Sequence, residues 1–215
     1  EKNWWKDASV YQIYPKSFYD SNNDGYGDIE GIRQKLPYIK SLGVDVIWVC
    51  PFFKSPQADN GYDVADYFDI NPMFGTMEEF DLLLVEAKKR NIKILMDLVC
   101  NHTSIEHKWF KEAIKDKNSK YHDFYIFRDK PDDKKSSFGG SAWCYVPSLD
   151  EYYYHYFDES QADLNWSNPE LRKEVAEICK FWLDKGCGGF RLDAIELISK
   201  DLDKNIEFAK NIKGA

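Results

Sequence analysis

The polar residues best suited to chemistry follow short apolar segments of this sequence. Arg191 and Asp193 stand two residues apart in GFRLD, and His102 comes two residues after the segment IKILMDLVC. Asp59 and Tyr62 share the segment QADNGYD, which follows VDVIWVC. Side chains two residues apart on a strand lie on the same face, so Arg191 and Asp193 are expected to be neighbours. A nearby cation favours the ionised form of a carboxyl group, and an ionised, oriented carboxylate can act as a nucleophile in covalent catalysis.

Such a cluster requires strands that end side by side. Four segments rich in β-branched and aromatic residues are the strand candidates: 8–14, 44–50, 92–100 and 189–193. Segments with a helical spacing of apolar residues separate them. A repeated strand–helix–strand order predicts parallel strands joined by right-handed crossovers, and therefore an α/β fold. In such folds the carboxyl ends of the strands collect the active site, and the polar residues above stand at these ends.

The helix boundaries are marked by residues that favour or prevent helical structure. In IEGIRQKLPYIKSLG, residues 29–43, Pro37 is expected to split the helix because proline cannot continue the hydrogen-bond ladder. Thr76 and Glu79 form a capping box at the start of the next helix. Before the fourth strand, Asn168 caps a helix that Gly186 ends. The inward-facing stripes of these last two helices are residues 80, 83, 84 and 87, and residues 171, 175, 178 and 182.

A long connection separates the third strand from the following helix. Residues 103–166 are rich in tyrosine, aspartate and lysine and show little helical period. A connection of this length is usually functional or a small subdomain. The segments FGGSAW and DEYYYHYF indicate that it contains some β structure. His107, His122 and His155 lie in this connection and are interpreted as surface or packing residues.

The segment DSNNDGYGD, residues 20–28, looks like the start of an EF-hand calcium loop. Asp20, Asn22 and Asp24 alternate as they do in that loop, and a glycine follows. An EF-hand requires a bidentate glutamate at its twelfth position, where this sequence has Gly31. The loop also follows a predicted strand rather than a helix. A calcium sensor of the EF-hand type is therefore excluded.

Composition narrows the classes of function. A net charge of −8 argues against a nucleic-acid partner, which would require a basic surface. The longest apolar run, residues 46–53, is far shorter than the roughly 20 residues of a membrane span, so no membrane partner is expected. Nothing in the sequence indicates how many subunits assemble. The five cysteines include no CxxC pair and leave an odd one, so a disulfide framework is not expected. We therefore expect thiols in a reducing cytoplasm at Cys50, Cys100, Cys144, Cys179 and Cys187.

Six motifs along the chain resemble those of one known family. DLVCNH, QADLNW and GFRLDA resemble three signatures of glycoside hydrolase family 13, the α-amylase family, and YQIYPKSF, DNGYD and FGGSAW narrow the resemblance to its oligo-1,6-glucosidase and trehalose-6-phosphate hydrolase group. The resemblance implies the N-terminal half of a (β/α)8 TIM barrel, with a small domain B inserted after the third strand. We therefore expect barrel strands 1–3 in residues 1–102, domain B in residues 103–168, and the continuation of the barrel in residues 169–215. That last part is expected to include the start of another helix from about residue 200.

The same resemblance implies roles for the candidate residues. Asp193 is expected to be the nucleophile that forms a β-glucosyl-enzyme intermediate, and Arg191 to orient it and keep it ionised. His102 and Asp59 are expected to hydrogen-bond the hydroxyls of the terminal glucose, and Tyr62 to stack on the apolar face of that sugar. The tyrosines of segment 152–156 suit either a further sugar platform or ordinary strand packing.

Related enzymes hold a structural calcium or magnesium ion in the loop that matches residues 20–28. Oxygen ligands alone suit a hard cation of this kind. No organic cofactor is expected. The matching ligands in this sequence are Asp20, Asn22, Asp24, the carbonyl oxygen of Tyr26, and Asp28.

The resemblance predicts a retaining, exo-acting hydrolase of short α-glucosides. Its substrate would be an oligosaccharide or disaccharide, with a phosphorylated disaccharide among the candidates. Ala194 stands where the α-1,6-specific members usually carry valine, which weakens an assignment to isomaltose alone. The rival interpretation is a catalytically inactive, glucosidase-like binding or transporter-associated subunit, a class that has lost the catalytic carboxylates and carries a membrane span. The enzyme is favoured by the presence of Asp59, His102, Arg191 and Asp193.

The resemblance places the general acid, a glutamate, after the fifth barrel strand and beyond residue 215. Retaining hydrolysis needs two carboxyl groups about 5–5.5 Å apart, and this chain supplies only the nucleophile. We therefore expect residues 1–215 alone to show no measurable turnover of a 4-nitrophenyl α-glucoside or of trehalose 6-phosphate.

Overall fold

A computed structural model describes residues 3–199, 210 and 212 of the chain. The helix expected from about residue 200 lies outside the described residues. The α-helices are α1 (Pro15–Phe18), α2 (Ile29–Gln34), α3 (Leu36–Ser41), α4 (Met77–Lys89), α5 (Lys108–Ala113) and α6 (Pro169–Lys185), and short 3-10 helices span Trp4–Lys6, His122–Phe124 and Ile195–Leu197. The strands are β1 (Val10–Ile13), β2 (Val46–Val49), β3 (Phe53–Lys54), β4 (Asp66–Ile70), β5 (Lys93–Leu98), β6 (His102–Ser104), β7 (Phe127–Arg128), β8 (Trp143–Val146), β9 (Glu151–Tyr154), β10 (Gln161–Asp163) and β11 (Gly189–Leu192).

The four predicted strands form one sheet in the order β1–β2–β5–β11. β1 pairs with β2 and β2 pairs with β5, both in parallel, with Ile13 opposite Val49 and Val49 opposite Met96. Each strand is shorter than its predicted segment by one or more residues at its ends. The prediction of a parallel α/β sheet is confirmed, and the polar residues of interest follow these strands in the chain.

The chain divides into two compact units. Unit 1 comprises Glu1–Lys54, Phe68–Leu98 and Phe181–Arg191, and unit 2 comprises Ser55–Tyr67, Val99–Lys180 and Leu192–Ala215. Unit 1 contains β1, β2 and β5. Its core includes a cluster of aromatic rings, in which the ring of Trp182 lies 5.3 Å from that of Phe53 and 5.5 Å from that of Phe80.

The predicted helix ends of unit 1 are confirmed. The segment that contains Pro37 is two helices, α2 and α3, and Pro37 lies in the first turn of α3, where its missing N–H costs nothing. Thr76 and Glu79 form the reciprocal capping box at the start of α4. The predicted inward stripe of α4 is buried at Phe80, Leu83, Leu84 and Ala87.

The longest helix, α6, begins and ends as its sequence predicts. The Asn168 side chain accepts a hydrogen bond of 2.9 Å from the backbone N–H of Glu170. Gly186 follows the helix with a φ of +110°, in the left-handed region that glycine adopts without strain. The predicted stripe is buried at Leu171, Val175, Ile178 and Trp182. No helix among the described residues is long and apolar enough to cross a membrane.

Unit 2 contains the long connection, which has more secondary structure than its sequence indicates. β7, β9 and β8 form an antiparallel sheet, and β10 pairs with β6 so that Asp163 lies opposite His102. The helix α5 was not predicted, because six residues are too few to show a helical period. Tyr153 and Tyr154 are both buried in strand packing, which is one of the two alternatives for this segment.

The three histidines of the connection are packing residues, as predicted. His122 stacks on the ring of Phe127 at 4.3 Å, and His155 is buried. His107 is also buried, and its Nδ1 accepts a hydrogen bond of 3.0 Å from the backbone N–H of Trp109 at the start of α5. Burial lowers the pKa of His107 to about 3, and the positive charge of Lys108 acts in the same direction. His107 is therefore neutral in the folded protein at pH 7.

We predict that His107 makes the protein less stable in mild acid. Its pKa is near 6.5 in the unfolded chain and about 3 in the folded one, so below pH 6.5 the unfolded state binds the extra proton. The free energy of unfolding should then fall by up to about 1.4 kcal/mol per pH unit between pH 6.5 and 4.5. Chemical denaturation at several pH values measures this slope. His107→Asn keeps a capping acceptor without a titratable ring, and should flatten it.

The comparison is made between His107→Asn and the unchanged protein under identical conditions. Equal slopes for His107→Asn and the unchanged protein would contradict the prediction.

Candidate active site

The predicted sugar-binding residues and the predicted nucleophile lie in the same unit. Unit 2 contains Asp59, Tyr62, His102 and Asp193, whereas Arg191 closes the last segment of unit 1. Direct hydrogen bonds join the loop that carries Asp59 and Tyr62 to His102 and to strand β10.

The loop from residue 58 to residue 63 is shaped by a buried carboxylate. Asp63 has no accessible surface, and its two oxygens accept hydrogen bonds from the backbone N–H groups of Ala58, at 2.8 Å, and Asp59, at 3.0 Å. The N–H of Tyr62 donates to the carbonyl of Asp59 at 2.9 Å. These bonds fix the backbone that carries Asp59 and Tyr62. Asp63 therefore acts as a structural support for both predicted sugar-binding residues.

The hydrogen bonds of His102 define its tautomer. Its Nε2 lies 2.8 Å from the carbonyl oxygen of Tyr62, and a carbonyl can only accept, so Nε2 carries the proton. Its Nδ1 lies 3.1 Å from Nδ2 of Asn101 and accepts from that amide. Both ring nitrogens are thus engaged in the neutral form. A sugar hydroxyl that binds Nε2 must share or replace the bond to Tyr62.

Gln161 connects the loop to His102, and the sequence analysis did not identify it. Its side chain has no accessible surface, and its Nε2 donates to Oδ2 of Asp59 at 2.8 Å. The same amide nitrogen lies 3.4 Å from the carbonyl oxygen of Tyr62 and 3.2 Å from Nε2 of His102. Oδ1 of Asp59 accepts no hydrogen bond from the described residues. Gln161 thus holds one oxygen of Asp59 in place and leaves the other able to accept a sugar hydroxyl.

The surroundings of His102 determine its charge. Burial lowers the pKa of His102. This effect outweighs the bond to the Tyr62 carbonyl and the negative charges of Asp193, Asp59 and Asp63, which all raise it. His102 is therefore neutral at pH 7, and it can donate or accept a hydrogen bond without adding charge to the site. That Asp193 and His102 face one region stays a prediction.

Asp193 stands directly after β11, at a sharp change of backbone direction. Ala194 adopts a left-handed conformation, with φ +46° and ψ +36°, and precedes the 3-10 helix Ile195–Leu197. For a residue with a Cβ atom this conformation costs about 1–2 kcal/mol. Asp193 is half-buried, whereas Glu196 in the following helix is exposed.

In unit 1 the guanidinium of Arg191 is paired with a carboxylate that the sequence analysis gave no role. Nη1 of Arg191 lies 3.1 Å from both oxygens of Asp97. Trp48 donates from Nε1 to Oδ2 of Asp97 at 2.9 Å, and its ring lies 4.7 Å from the guanidinium. Arg191 therefore neutralises a buried charge, in addition to the role toward Asp193 that its position predicts.

The predicted metal ligands of residues 20–28 bond to their own backbone. The Asp20 carboxylate accepts N–H bonds from four residues, of which the bond from Gly25 contributes most to lowering the Asp20 pKa. Asp24 accepts from the N–H of Tyr26, and Asp28 accepts from the N–H groups of Ser21 and Gly31. Among the described residues, no three acidic, histidine or cysteine side chains are grouped so as to hold a metal ion. The donor set consists of oxygens alone and suits a hard cation. The metal site stays a prediction.

An open cleft of about 540 Å³ lies in unit 2. Phe157 lines this cleft, and its ring centre lies 5.3 Å from that of His102. Phe138, also in the lining, is 67% exposed, so an apolar ring faces solvent at the cleft. A cleft lined by such rings can receive the apolar face of a sugar.

The residues that sequence reasoning missed share one signal. Asp97 directly follows the apolar run ILM of strand β5, and Gln161 opens the motif QADLNW within the long connection. In the apolar run VIWV, Trp48 has the one side chain that carries a hydrogen-bond donor. A polar group in a segment that is otherwise buried must find a partner, which marks it for attention even where the partner is unknown.

Comparisons with known proteins extend these observations. The family model described as "Alpha amylase, catalytic domain" matches residues 12–211. The chain is 57% identical, over 205 residues, to oligo-1,6-glucosidase from Parageobacillus thermoglucosidasius, and 55% identical, over 204 residues, to trehalose-6-phosphate hydrolase from Bacillus subtilis. The alignments cover 93% and 92% of this chain, and 36% of each relative. A crystal structure of trehalose-6-phosphate hydrolase from Bacillus licheniformis superposes with a TM-score of 0.90 and 54% identity, over 93% of this chain and 37% of that one. The chain thus spans little more than a third of the length of these relatives.

We predict that Gln161→Met weakens the binding of glucose to the full-length protein. Methionine has a similar length but no N–H donors, so Asp59 and the Tyr62 carbonyl lose the group that holds them. A lost hydrogen bond to a charged group corresponds to about a tenfold or greater fall in affinity, which calorimetric titration with glucose measures. Gln34→Met is the matched control, because Gln34 is exposed on α2 and its side chain bonds, among the described residues, only to Glu30. Equal affinities in the two variants would show that Gln161 does not position the site.

Proposed function

The chain belongs to glycoside hydrolase family 13, the α-amylase family, and we propose that it forms the nucleophile-bearing part of a retaining, exo-acting α-glucoside hydrolase. One observation carries the proposal: within the unit that also contains Asp193, the buried His102 lies 2.8 Å from the carbonyl oxygen of Tyr62, and Gln161 holds Asp59. A carboxylate beside fixed donors and acceptors for sugar hydroxyls is the arrangement that covalent glycoside hydrolysis requires.

In the proposed reaction the Asp193 carboxylate attacks the anomeric carbon of the terminal glucose. The bond from that carbon to the leaving oxygen breaks, and a general acid outside this chain donates its proton to that oxygen. Water, deprotonated by the same group, then attacks the anomeric carbon, and the bond from that carbon to the Asp193 oxygen breaks. Glucose leaves with its anomeric configuration retained, and Asp193 returns to the carboxylate form.

The other residues bind and orient the sugar. Oδ1 of Asp59 accepts one hydroxyl, and His102 exchanges its bond to the Tyr62 carbonyl for another. The ring of Tyr62 stacks on the apolar face of the glucose, and the cleft beside Phe157 receives the remainder of the substrate. Because His102 is neutral, it does not neutralise the negative charge of Asp193. The carboxylate therefore stays available as a nucleophile.

The proposed substrates are short α-glucosides, an oligosaccharide or a disaccharide. The relatives reported above are named for 1,6-linked glucosides and for trehalose 6-phosphate, so both kinds of substrate belong in the assay. Ala194 in place of the valine of α-1,6-specific members argues against isomaltose as the sole substrate. A cytoplasmic location stays a prediction. It is supported by the five cysteines, which are all thiols, because thiols persist in a reducing compartment.

We predict that the full-length protein hydrolyses at least one of 4-nitrophenyl α-glucoside, isomaltose and trehalose 6-phosphate, and releases α-glucose first. Asp193→Asn should abolish this turnover, because an amide cannot attack as a carboxylate does, while the circular dichroism spectrum stays unchanged. Release of the anomer is followed by proton NMR. Glu196→Gln is the matched control, since it makes the same change three residues later on an exposed side chain, and should retain activity.

The rival function, a catalytically inactive binding or transporter-associated subunit, gives a different result in the same experiment. Such a protein would turn over none of the three substrates. It and its Asp193→Asn variant would bind glucose with equal affinity. Turnover that survives Asp193→Asn would instead mean that the nucleophile is a different residue.

A structural divalent ion in the loop of residues 20–28 is a second part of the proposal, with calcium as the first candidate and magnesium as the other. Bound calcium should stabilise the folded full-length protein, by about 2.7 kcal/mol at a concentration 100 times the dissociation constant. Asp24→Asn keeps the acceptor for the Tyr26 N–H but loses the charge, and should remove this gain. Asp116→Asn is the matched control, because Asp116 is exposed and accepts an N–H bond two residues later in the same way. Thermal unfolding with and without calcium measures the effect, and an equal response of the two variants would contradict a site in this loop.

A further inference from the structure

The side-chain amide of Gln57 is buried without a hydrogen-bond partner. Gln57 precedes Asp59 by two residues, in the loop of unit 2 that also carries Tyr62. Its Nε2 and Oε1 atoms have almost no accessible surface, and neither forms a hydrogen bond with any described residue. Water solvates both ends of such an amide in the unfolded chain, so its burial in this state lowers the stability of the folded protein. Gln57 is therefore a residue that stability alone does not account for.

The backbone of the same residue is also in an unfavourable conformation. Gln57 has a φ of +64°, in the left-handed region that residues with a Cβ atom rarely adopt. Asn60 and Gly61 of this loop lie in the same region, but asparagine and glycine tolerate it. Unfavourable backbone conformations of this kind collect at ligand-binding sites, where the surrounding structure maintains them.

Hydrogen bonds fix the backbone of the loop, whereas no described residue holds the amide of Gln57. The N–H of Gln57 donates to Oγ of Ser55 at 2.9 Å, and the N–H groups of Ala58 and Asp59 donate to Asp63. Gln57 is half-buried as a residue, so its exposed surface belongs to its backbone and its side-chain carbon atoms. Rotation about the side-chain bonds can therefore bring the amide to the surface without unfolding the loop.

The two unpaired ends of the amide define the chemistry of a suitable ligand. Nε2 carries two donors and Oε1 is an acceptor, so the ligand must offer an acceptor and a donor together. A carboxylate can only accept, a phosphate at pH 7 mainly accepts, and an ammonium group can only donate. Two neighbouring hydroxyl groups of a sugar offer both. The Cα atoms of Gln57 and Asp59 are at most about 7 Å apart, so a sugar bound by Asp59 is within reach of Gln57.

We propose that Gln57 is a further substrate-binding residue: its amide rotates out of the loop and hydrogen-bonds two neighbouring hydroxyl groups of the bound glucoside. This inference rests on the sugar-binding part of the proposed function. The hydroxyls belong either to the terminal glucose or to the sugar next to it. In both cases the substrate supplies the partners that the amide lacks in the free protein.

Gln57→Met separates this role from a structural one, because it should change stability and affinity in opposite directions. Methionine has a similar length and no polar group that requires a partner. In the full-length protein the variant should raise the thermal unfolding midpoint by about 1 °C or more, since it removes an unsatisfied buried amide. It should also weaken sugar binding by about tenfold, because the hydroxyls lose two hydrogen bonds. Gln161→Met, which removes a satisfied amide, should lower both the midpoint and the affinity, and Gln34→Met should change neither.

Calorimetric titration with glucose and with isomaltose identifies the hydroxyls, in proteins that also carry Asp193→Asn so that isomaltose stays intact. A similar loss of affinity for both sugars assigns the hydroxyls to the terminal glucose, and a loss for isomaltose alone assigns them to the second sugar. If Gln57→Met keeps its affinity for both sugars, or if its unfolding midpoint is not raised, this inference is overturned and the proposed function stands. If the protein that retains Gln57 binds neither sugar, the proposed function fails as well.

Discussion

Asp97 carries a charge with no accessible surface, and that one constraint organises the sheet of unit 1 around Arg191. Removing a carboxylate from water costs several kcal/mol, which a cation and hydrogen-bond donors must offset. Arg191 supplies the cation from β11, and Trp48 supplies a hydrogen-bond donor from β2. The carboxylate on β5 therefore requires a particular residue on each of the two neighbouring strands. Arg191, which satisfies this buried charge, stands two residues before the proposed nucleophile in the chain.

In unit 2, too, buried polar groups are satisfied by specific partners. Gln161 has no accessible surface either, and its amide hydrogens are satisfied by Asp59 and the Tyr62 carbonyl. The carboxylate of Asp63 accepts hydrogen bonds from the backbone N–H groups of Ala58 and Asp59. His102 completes the network as a neutral ring, because burial outweighs the negative charges around it. Groups held in this way need little reorganisation when a sugar arrives, and preorganised donors and acceptors are the main source of electrostatic catalysis.

Local patterns in the sequence predicted local structure well. The strands, the split at Pro37, the Thr76 capping box and both ends of α6 follow from residues within a few positions of each other, and each is confirmed. The site residues were proposed from their places after strands and from the family resemblance. What the sequence could not supply is the pairing of distant residues: Gln161 and Asp59 are 102 positions apart, and Arg191 and Asp97 are 94 apart. No period or turn signal encodes such a bond. A polar residue in a buried segment shows only that a partner exists.

The central claim is that Asp193 becomes covalently attached to glucose, and trapping that intermediate tests it most directly. A 5-fluoro-α-glucosyl fluoride slows the hydrolysis of a glycosyl ester more than its formation, so incubation with the full-length protein should leave the sugar attached. Tryptic digestion should place the added mass on the peptide of residues 192–200, and fragmentation should assign it to Asp193 and not to Glu196, the other acidic residue of that peptide. A label on Glu196 or on a different peptide, or an active protein that accumulates no label at all, would contradict the account.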